Sequence, residues 1–213
     1  MHYKFELKPL PYAYDALEPY IDTKTMEIHH SKHVQAYTDN LNKALEPHTA
    51  YHGWSLEKLL YNLGELPKEI QVPVRNNAGG VYNHNLFFSI MAPGGKALPE
   101  GALKDAINKK WGSVDAFTAD LKAAALTVFG SGWAWLVADA AGELSIYKTP
   151  NQDTPIPEKT LTPVINLDVW EHAYYLKVQN RRPEYIDNWI NVIDWEAAAH
   201  NYAKHKETDF SKA

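Results

Sequence analysis

Apolar residues in the first part of the chain recur at helical spacing. Between Thr25 and Glu46, the residues Met26, His29, His33, Tyr37, Leu41 and Leu45 follow at three- or four-residue steps and share one helix face. Asp22 or Thr23 can cap the start, because a short oxygen-bearing side chain accepts from first-turn N–H groups; Pro47 stops the helix. Ser55 opens a shorter helix through Leu59, Leu60 and Leu63, ended by Gly64 and Pro67. From about Val74 to Met91 a third pattern puts Val81, His84, Phe88 and Met91 on one face. Long antiparallel helices are the expected result.

Ala92-Pro93-Gly94-Gly95-Lys96 reads as a linker. Beyond it, Leu103 to Lys110 and Val114 to Phe129 are helical in pattern, the second capped by Ser113. The period then changes. Trp133, Trp135 and Val137 alternate with smaller residues, and Ala140-Ala141-Gly142 turns into Leu144-Ser145-Ile146-Tyr147, which predicts a β-hairpin. Val164 to Leu167 predicts another short strand ending at Asp168, and Pro183 opens a closing helix through Tyr185, Trp189, Val192 and Trp195. The expectation is an α+β fold. An N-terminal antiparallel α-hairpin domain (1–92) precedes an α/β domain (93–213) with a small three-stranded antiparallel sheet.

The 213 residues suffice for a sizeable core, and 45% hydrophobic with 22% charged residues is globular composition. A formal charge of −5 argues against a nucleic-acid partner, while leaving room for a small anion drawn by local fields. With no cysteine, thiolate metal sites, iron–sulfur clusters and cysteine nucleophiles are excluded, so a transition metal must be held by imidazole and carboxylate. No apolar run reaches the ~18 residues of a membrane span, and the opening residues lack a signal-peptide stretch, so a cytoplasmic protein without membrane contact is expected.

Ligand candidates emerge from where the histidines fall. His29 and His84 lie on apolar helix faces, and Asp168 closes an apolar strand just before Val169, Trp170, Glu171 and His172. Burying a carboxylate is expensive unless it is paired or coordinated. Three imidazoles and one carboxylate can hold a first-row metal and leave a position open. Taken singly, a histidine on an apolar face is more often a hydrogen-bonded core residue, and an aspartate after a strand is more often a cap. The Gly79-Gly80 pair inside a helix costs about 1 kcal/mol per residue relative to alanine, which points either to a close approach there or to helix packing.

Five blocks in order carry a family resemblance. They are Leu10-Pro11-Tyr12-Ala13-Tyr14-Asp15-Ala16-Leu17-Glu18-Pro19; Met26 to His33 with Tyr37; Asn76 to His84; Phe129 to Leu136; and Asp168 to Tyr175 extended by Gln179 to Pro183. Along nearly its whole length the sequence resembles the manganese/iron superoxide dismutase family. The resemblance implies metal ligation by His29, His84, Asp168 and His172, with solvent in a fifth position. It places Tyr37 and His33 at the mouth of a substrate channel, Gln152 on the bound solvent, Trp133 and Trp170 in the pocket wall, and Arg181 as positive charge near the channel. It also implies a homodimer or tetramer, with Glu171, Tyr174 and Ser131 at the dimer interface.

The implied reaction dismutes superoxide to O2 and H2O2 as the metal cycles between +3 and +2. Gln at position 152 with Gly80 before the second histidine implies manganese, the alternatives being iron or either metal; a metal-dependent hydrolase is a more distant reading. Phe88 stands where the family often has Trp, and Val34 where it often has His. Neither is a ligand position, so these departures bear on pocket packing and channel polarity.

Overall fold

A computed structural model describes residues 2–206; residue 1 and residues 207–213, the outer ends of the two expected domains, lie outside the described residues. Asp22 accepts from the Thr25 N–H and starts α1 (Thr23–Ile28). The helix widens into π-type turns over His29–Val34 and resumes as α2 (Gln35–Leu45). The sequence pattern predicts one regular rod, and the wide turn is a departure from it. Ser31 donates its hydroxyl to the Glu27 carbonyl at 2.6 Å and Thr38 to that of Val34 at 2.9 Å, side-chain bonds of the kind that loosen and bend a helix.

Ser55 caps α3 (Leu56–Tyr61) by accepting from Lys58 N–H. The following helix, α4 (Lys68–Ser89), begins at Lys68 rather than Val74 because it absorbs Pro73. Proline offers no N–H there, and neighbouring amides add bonds: Gln71 donates to the Leu66 carbonyl and Asn77 to that of Pro73, both at 2.8 Å. Packed together, α2, α3 and α4 bury Leu41, Leu45, Leu59, Leu60, Val74 and Ala78 in a small core of their own.

In the second half come α5 (Ala102–Trp111) and α6 (Val114–Leu126), then β1 (Gly132–Ala138), β2 (Leu144–Pro150) and β3 (Thr162–Asp168). The sheet is antiparallel in the order β2-β1-β3. Every residue of β1, the central strand, is buried, so its alternation separates large from small side chains rather than inside from outside. Trp133, Trp135, Phe117, Phe87 and Trp189 dominate the larger core, which joins α4 to the sheet. Register sets the site: Trp133 on β1 pairs with Asp168 at the end of β3.

Three short helices follow: α7 (Tyr175–Val178), α8 (Arg182–Ile190) and α9 (Trp195–Ala203). The sequence predicts one closing helix through Trp195; the structure breaks it, because Asp194 caps α9 by accepting from Ala197 N–H at 3.0 Å. α6 likewise ends at Leu126, leaving Phe129 fully exposed beyond it. Among the described residues, no helix is long and apolar enough to cross a membrane.

Candidate metal centre

Four elements converge on one point. His29 opens the widened turn after α1, His84 sits near the end of α4, Asp168 closes β3, and His172 follows in the single turn Glu171–Ala173. The Nε2 atoms of His29 and His172 lie 3.2 Å from Asp168 Oδ2, and that of His84 lies 3.5 Å away. One donor atom from each of the four residues falls within 4.8 Å of all the others. His29, His84 and Asp168 are buried, and only His172 retains slight exposure.

The hydrogen bonds show which atoms face the centre. Asp168 Oδ1 is occupied by the Trp170 N–H at 2.8 Å, which leaves Oδ2 toward the imidazoles. His84 donates its Nδ1–H to the Gly80 carbonyl at 2.6 Å, so its Nε2 carries the free lone pair. Among the described residues, Nε2 of His29 and of His84 are buried atoms that make no hydrogen bond. Such atoms are rare in folded proteins and carry a desolvation penalty of about 1–3 kcal/mol. Unpartnered nitrogen lone pairs around a buried carboxylate oxygen fit a cation that prefers mixed nitrogen and oxygen donors.

Electrostatics agrees with the geometry. Burial pushes the His29 imidazole well below its ordinary range, helped by neighbouring His172 and His84, and burial likewise lowers His84. For Asp168, burial alone would raise the carboxyl; the neighbouring imidazoles, His172 first, outweigh it and hold the group well below the usual carboxylate range. A neutral His29 and His84 beside an ionised Asp168 are protonation states that metal ligation requires.

Beside this nest lies a chain of hydrogen-bonded polar groups. Gln152, 3% exposed, donates its Nε2–H to the Tyr37 hydroxyl at 3.1 Å. Its Oε1 accepts from Trp133 Nε1–H and Asn83 Nδ2–H, both at 3.2 Å, and two donors on one oxygen fix which way the amide points. Tyr37 stacks at an angle beside His84, and its hydroxyl is pushed up to about 12, mainly by burial. The two glycines are explained by contacts. A Cβ on Gly79 would collide with the Gln152 carbonyl, and one on Gly80 would lie 2.6 Å from the Tyr37 ring.

The remaining expected residues fall as follows. His33 stacks on His172 at 4.4 Å between ring centroids, and Trp170 covers the other side of that ring at 5.3 Å. Arg181 is exposed and bonded to Glu184 and Gln179. Glu171 is exposed and Ser131 partly so. Tyr174 is buried; its hydroxyl accepts from Arg182 Nε–H at 3.0 Å and its ring stacks on Tyr185. Asn83 and Asn166 escape the sequence reading. Asn166 donates to the Asn83 carbonyl at 2.8 Å; the signal for Asn166 was a carboxamide between Ile165 and Leu167, whereas Asn83, between Tyr82 and His84, carried no such mark.

Comparison with known proteins follows this geometry. The family described as iron/manganese superoxide dismutases matches twice: its alpha-hairpin domain over residues 4–92 and its C-terminal domain over residues 99–201. A manganese superoxide dismutase from Thermus thermophilus is 52% identical over 204 residues, covering 96% of this chain and 100% of the relative. One from Pseudomonas aeruginosa is 54% identical over 198 residues, covering 93% and 97%. A protein from Methylomonas sp. named for manganese or iron is 50% identical over 198 residues, with the same coverage.

Proposed function

The chain belongs to the iron/manganese superoxide dismutase family, and from that premise we propose that it converts two superoxide anions into O2 and H2O2. The ligands in this reading are His29, His84, Asp168 and His172, holding one manganese ion. The supporting observation is the convergence on Asp168 Oδ2 of the buried His29 and His84 Nε2 atoms, which make no hydrogen bond, together with His172 Nε2 at 3.2 Å. When bound, the manganese supplies one-electron cycling between its +3 and +2 states.

The surrounding residues have separable tasks. Asp168 contributes the anionic donor, which would balance part of the ion's charge from a buried position. Forming H2O2 consumes two protons, and the Tyr37 hydroxyl stays protonated at neutral pH, so it can donate one and be refilled from solvent on its exposed side. Gln152 accompanies it, its amide held by Trp133 and Asn83 so that the hydrogen bond to Tyr37 keeps one direction. Trp133 and Trp170 narrow the pocket, which suits a diatomic anion and opposes hydrolysis of an organic substrate. His33 guards the approach to His172.

Assembly as at least a homodimer belongs to the same proposal. Arg182 donates to the carbonyls of Val128 and Gly130 and to the Tyr174 hydroxyl, so it ties the Phe129 segment to the start of α7. Phe129, Tyr175 and Leu176 are exposed apolar residues on those two tied segments, with Glu171 nearby in sequence. A partner covering this face would bury them and bring Glu171 and Ser131 to the contact; the buried Tyr174 would act from beneath. A cytoplasmic location and division into domains 1–92 and 93–213 complete the proposal.

The test is reconstitution of metal-free protein with manganese or iron, followed by elemental analysis and direct measurement of superoxide decay. Activity confined to the manganese form is expected. Equal activity with iron would support use of either metal, a reading favoured by the 50% identity to the Methylomonas protein. Full metal occupancy without superoxide turnover would remove the dismutase reading.

A further inference from the structure

We propose that Arg75, on the outer side of α4 and outside the ligand set, is a positioning residue for Gln152, acting through Asp153. The inference rests on the dismutase reading for its functional meaning and on geometry for its structural content. Arg75, Gly79 and Asn83 follow one another at four-residue steps and form one stripe of α4. Each meets the loop that carries Gln152. Arg75 Nε donates to Asp153 Oδ1 at 2.6 Å and its second prong donates to Oδ2 of the same carboxylate. Gly79, lacking a Cβ, lets the Gln152 carbonyl rest directly on the helix. Asn83 Nδ2 reaches Gln152 O at 3.2 Å and Asp153 O at 3.3 Å, besides the Gln152 amide oxygen.

The loop is also held from outside. Asn151 has a positive φ of 50°, which asparagine adopts more readily than most residues, and bonds that shape the loop include Asn151 N–H to the Ser131 carbonyl, Asp153 N–H to that of Pro150 and Trp170 Nε1–H to the Asn151 carbonyl at 2.9 Å. Gly79 and Asn83 seat the loop on the helix. A planar guanidinium gripping a carboxylate with two prongs adds a further constraint at Asp153, because the fork fixes orientation as well as distance. The pair is partly exposed and contributes little to folding. What it sets is the position of the residue next to Asp153, and small displacements of a group beside reacting atoms change rates strongly.

The experiment compares manganese-loaded wild type with Arg75→Gln, Asp153→Asn, the double variant and Arg75→Lys. The readouts are superoxide turnover, metal content, melting temperature and the midpoint potential of the bound metal. Arg75→Gln is expected to lower turnover about tenfold and to shift the midpoint potential, with metal content and melting temperature close to wild type. Asp153→Asn should match it, the double variant should be no worse than either single change, and Arg75→Lys, which restores charge without the fork, should fall between. Unchanged turnover and potential in a fully loaded Arg75→Gln protein would overturn the proposal. If that variant does not fold, Asp153→Asn carries the same decision. A loaded wild type without superoxide turnover would instead overturn the dismutase reading, and the potential difference between wild type and Arg75→Gln would still decide the role of Arg75.

Discussion

Two polar clusters lie side by side in the core, and they are built on opposite rules. In the ligand nest, buried nitrogens of His29 and His84 face Asp168 Oδ2 without hydrogen bonds. In the neighbouring chain, Tyr37, Gln152 and Trp133 satisfy one another in sequence. The first arrangement leaves lone pairs for a cation; the second fixes geometry beside it. Removing a ligand should therefore abolish binding, whereas disturbing the chain should leave the metal in place and slow the reaction.

The largest effect is expected for Asp168→Ala, which deletes the anionic donor of the nest. Metal content should collapse and activity fall by at least ~100-fold, as read by elemental analysis and superoxide decay. Gln152→Ala comes next: turnover should fall roughly 10- to 100-fold while the metal stays bound. Loss of metal from that variant would erase the distinction between the two clusters.

Gly80→Ala tests how tightly the two are pressed together. Its Cβ would meet the Tyr37 ring at 2.6 Å, so a destabilisation of about 1–3 kcal/mol is expected in thermal unfolding, with a smaller loss of rate.

The pH response should also separate the clusters. His29 and His84 are held below their ordinary value of 6.5, so they take up protons only at lower pH, and the lowered Asp168 stays ionised. Metal retention is thus expected to persist on acidification below 6.5, as followed by dialysis against a chelator. Tyr37 has the opposite sign: its folded value of about 12 exceeds the ordinary 10.0, so the protonated hydroxyl and the stability linked to it are retained at neutral pH and lost as pH rises from 10.0 toward 12. The smallest effect is expected for Glu171→Ala, which should weaken self-association in sedimentation at high dilution while each chain keeps its fold.

Legibility in the sequence followed the same divide. The hairpin helices and the strands were readable because periodicity reports burial directly, and His29, His84 and Asp168 stood out as polar groups in apolar runs. Their convergence was not readable from spacing, because it depends on β1–β3 register and on α4 packing against the sheet; the family resemblance pointed to it. The widened turn at His29–Val34 has no compositional mark, since it arises from which carbonyl each amide reaches. Pro73 concealed the true start of α4, and Asp194 broke a pattern that continues smoothly in hydrophobicity. The Gly79-Gly80 pair showed the reverse: the sequence left a close approach or a helix-packing contact open, and the structure has the Gln152 carbonyl against Gly79 and the Tyr37 ring of α2 against Gly80.

The most direct test of the account is anomalous diffraction at the manganese absorption edge from crystals of the reconstituted protein. A single strong peak among Nε2 of His29, His84 and His172 and Oδ2 of Asp168, with Gln152 still bonded to Tyr37, is the predicted result. A fully loaded protein whose manganese lies away from those four atoms would contradict it.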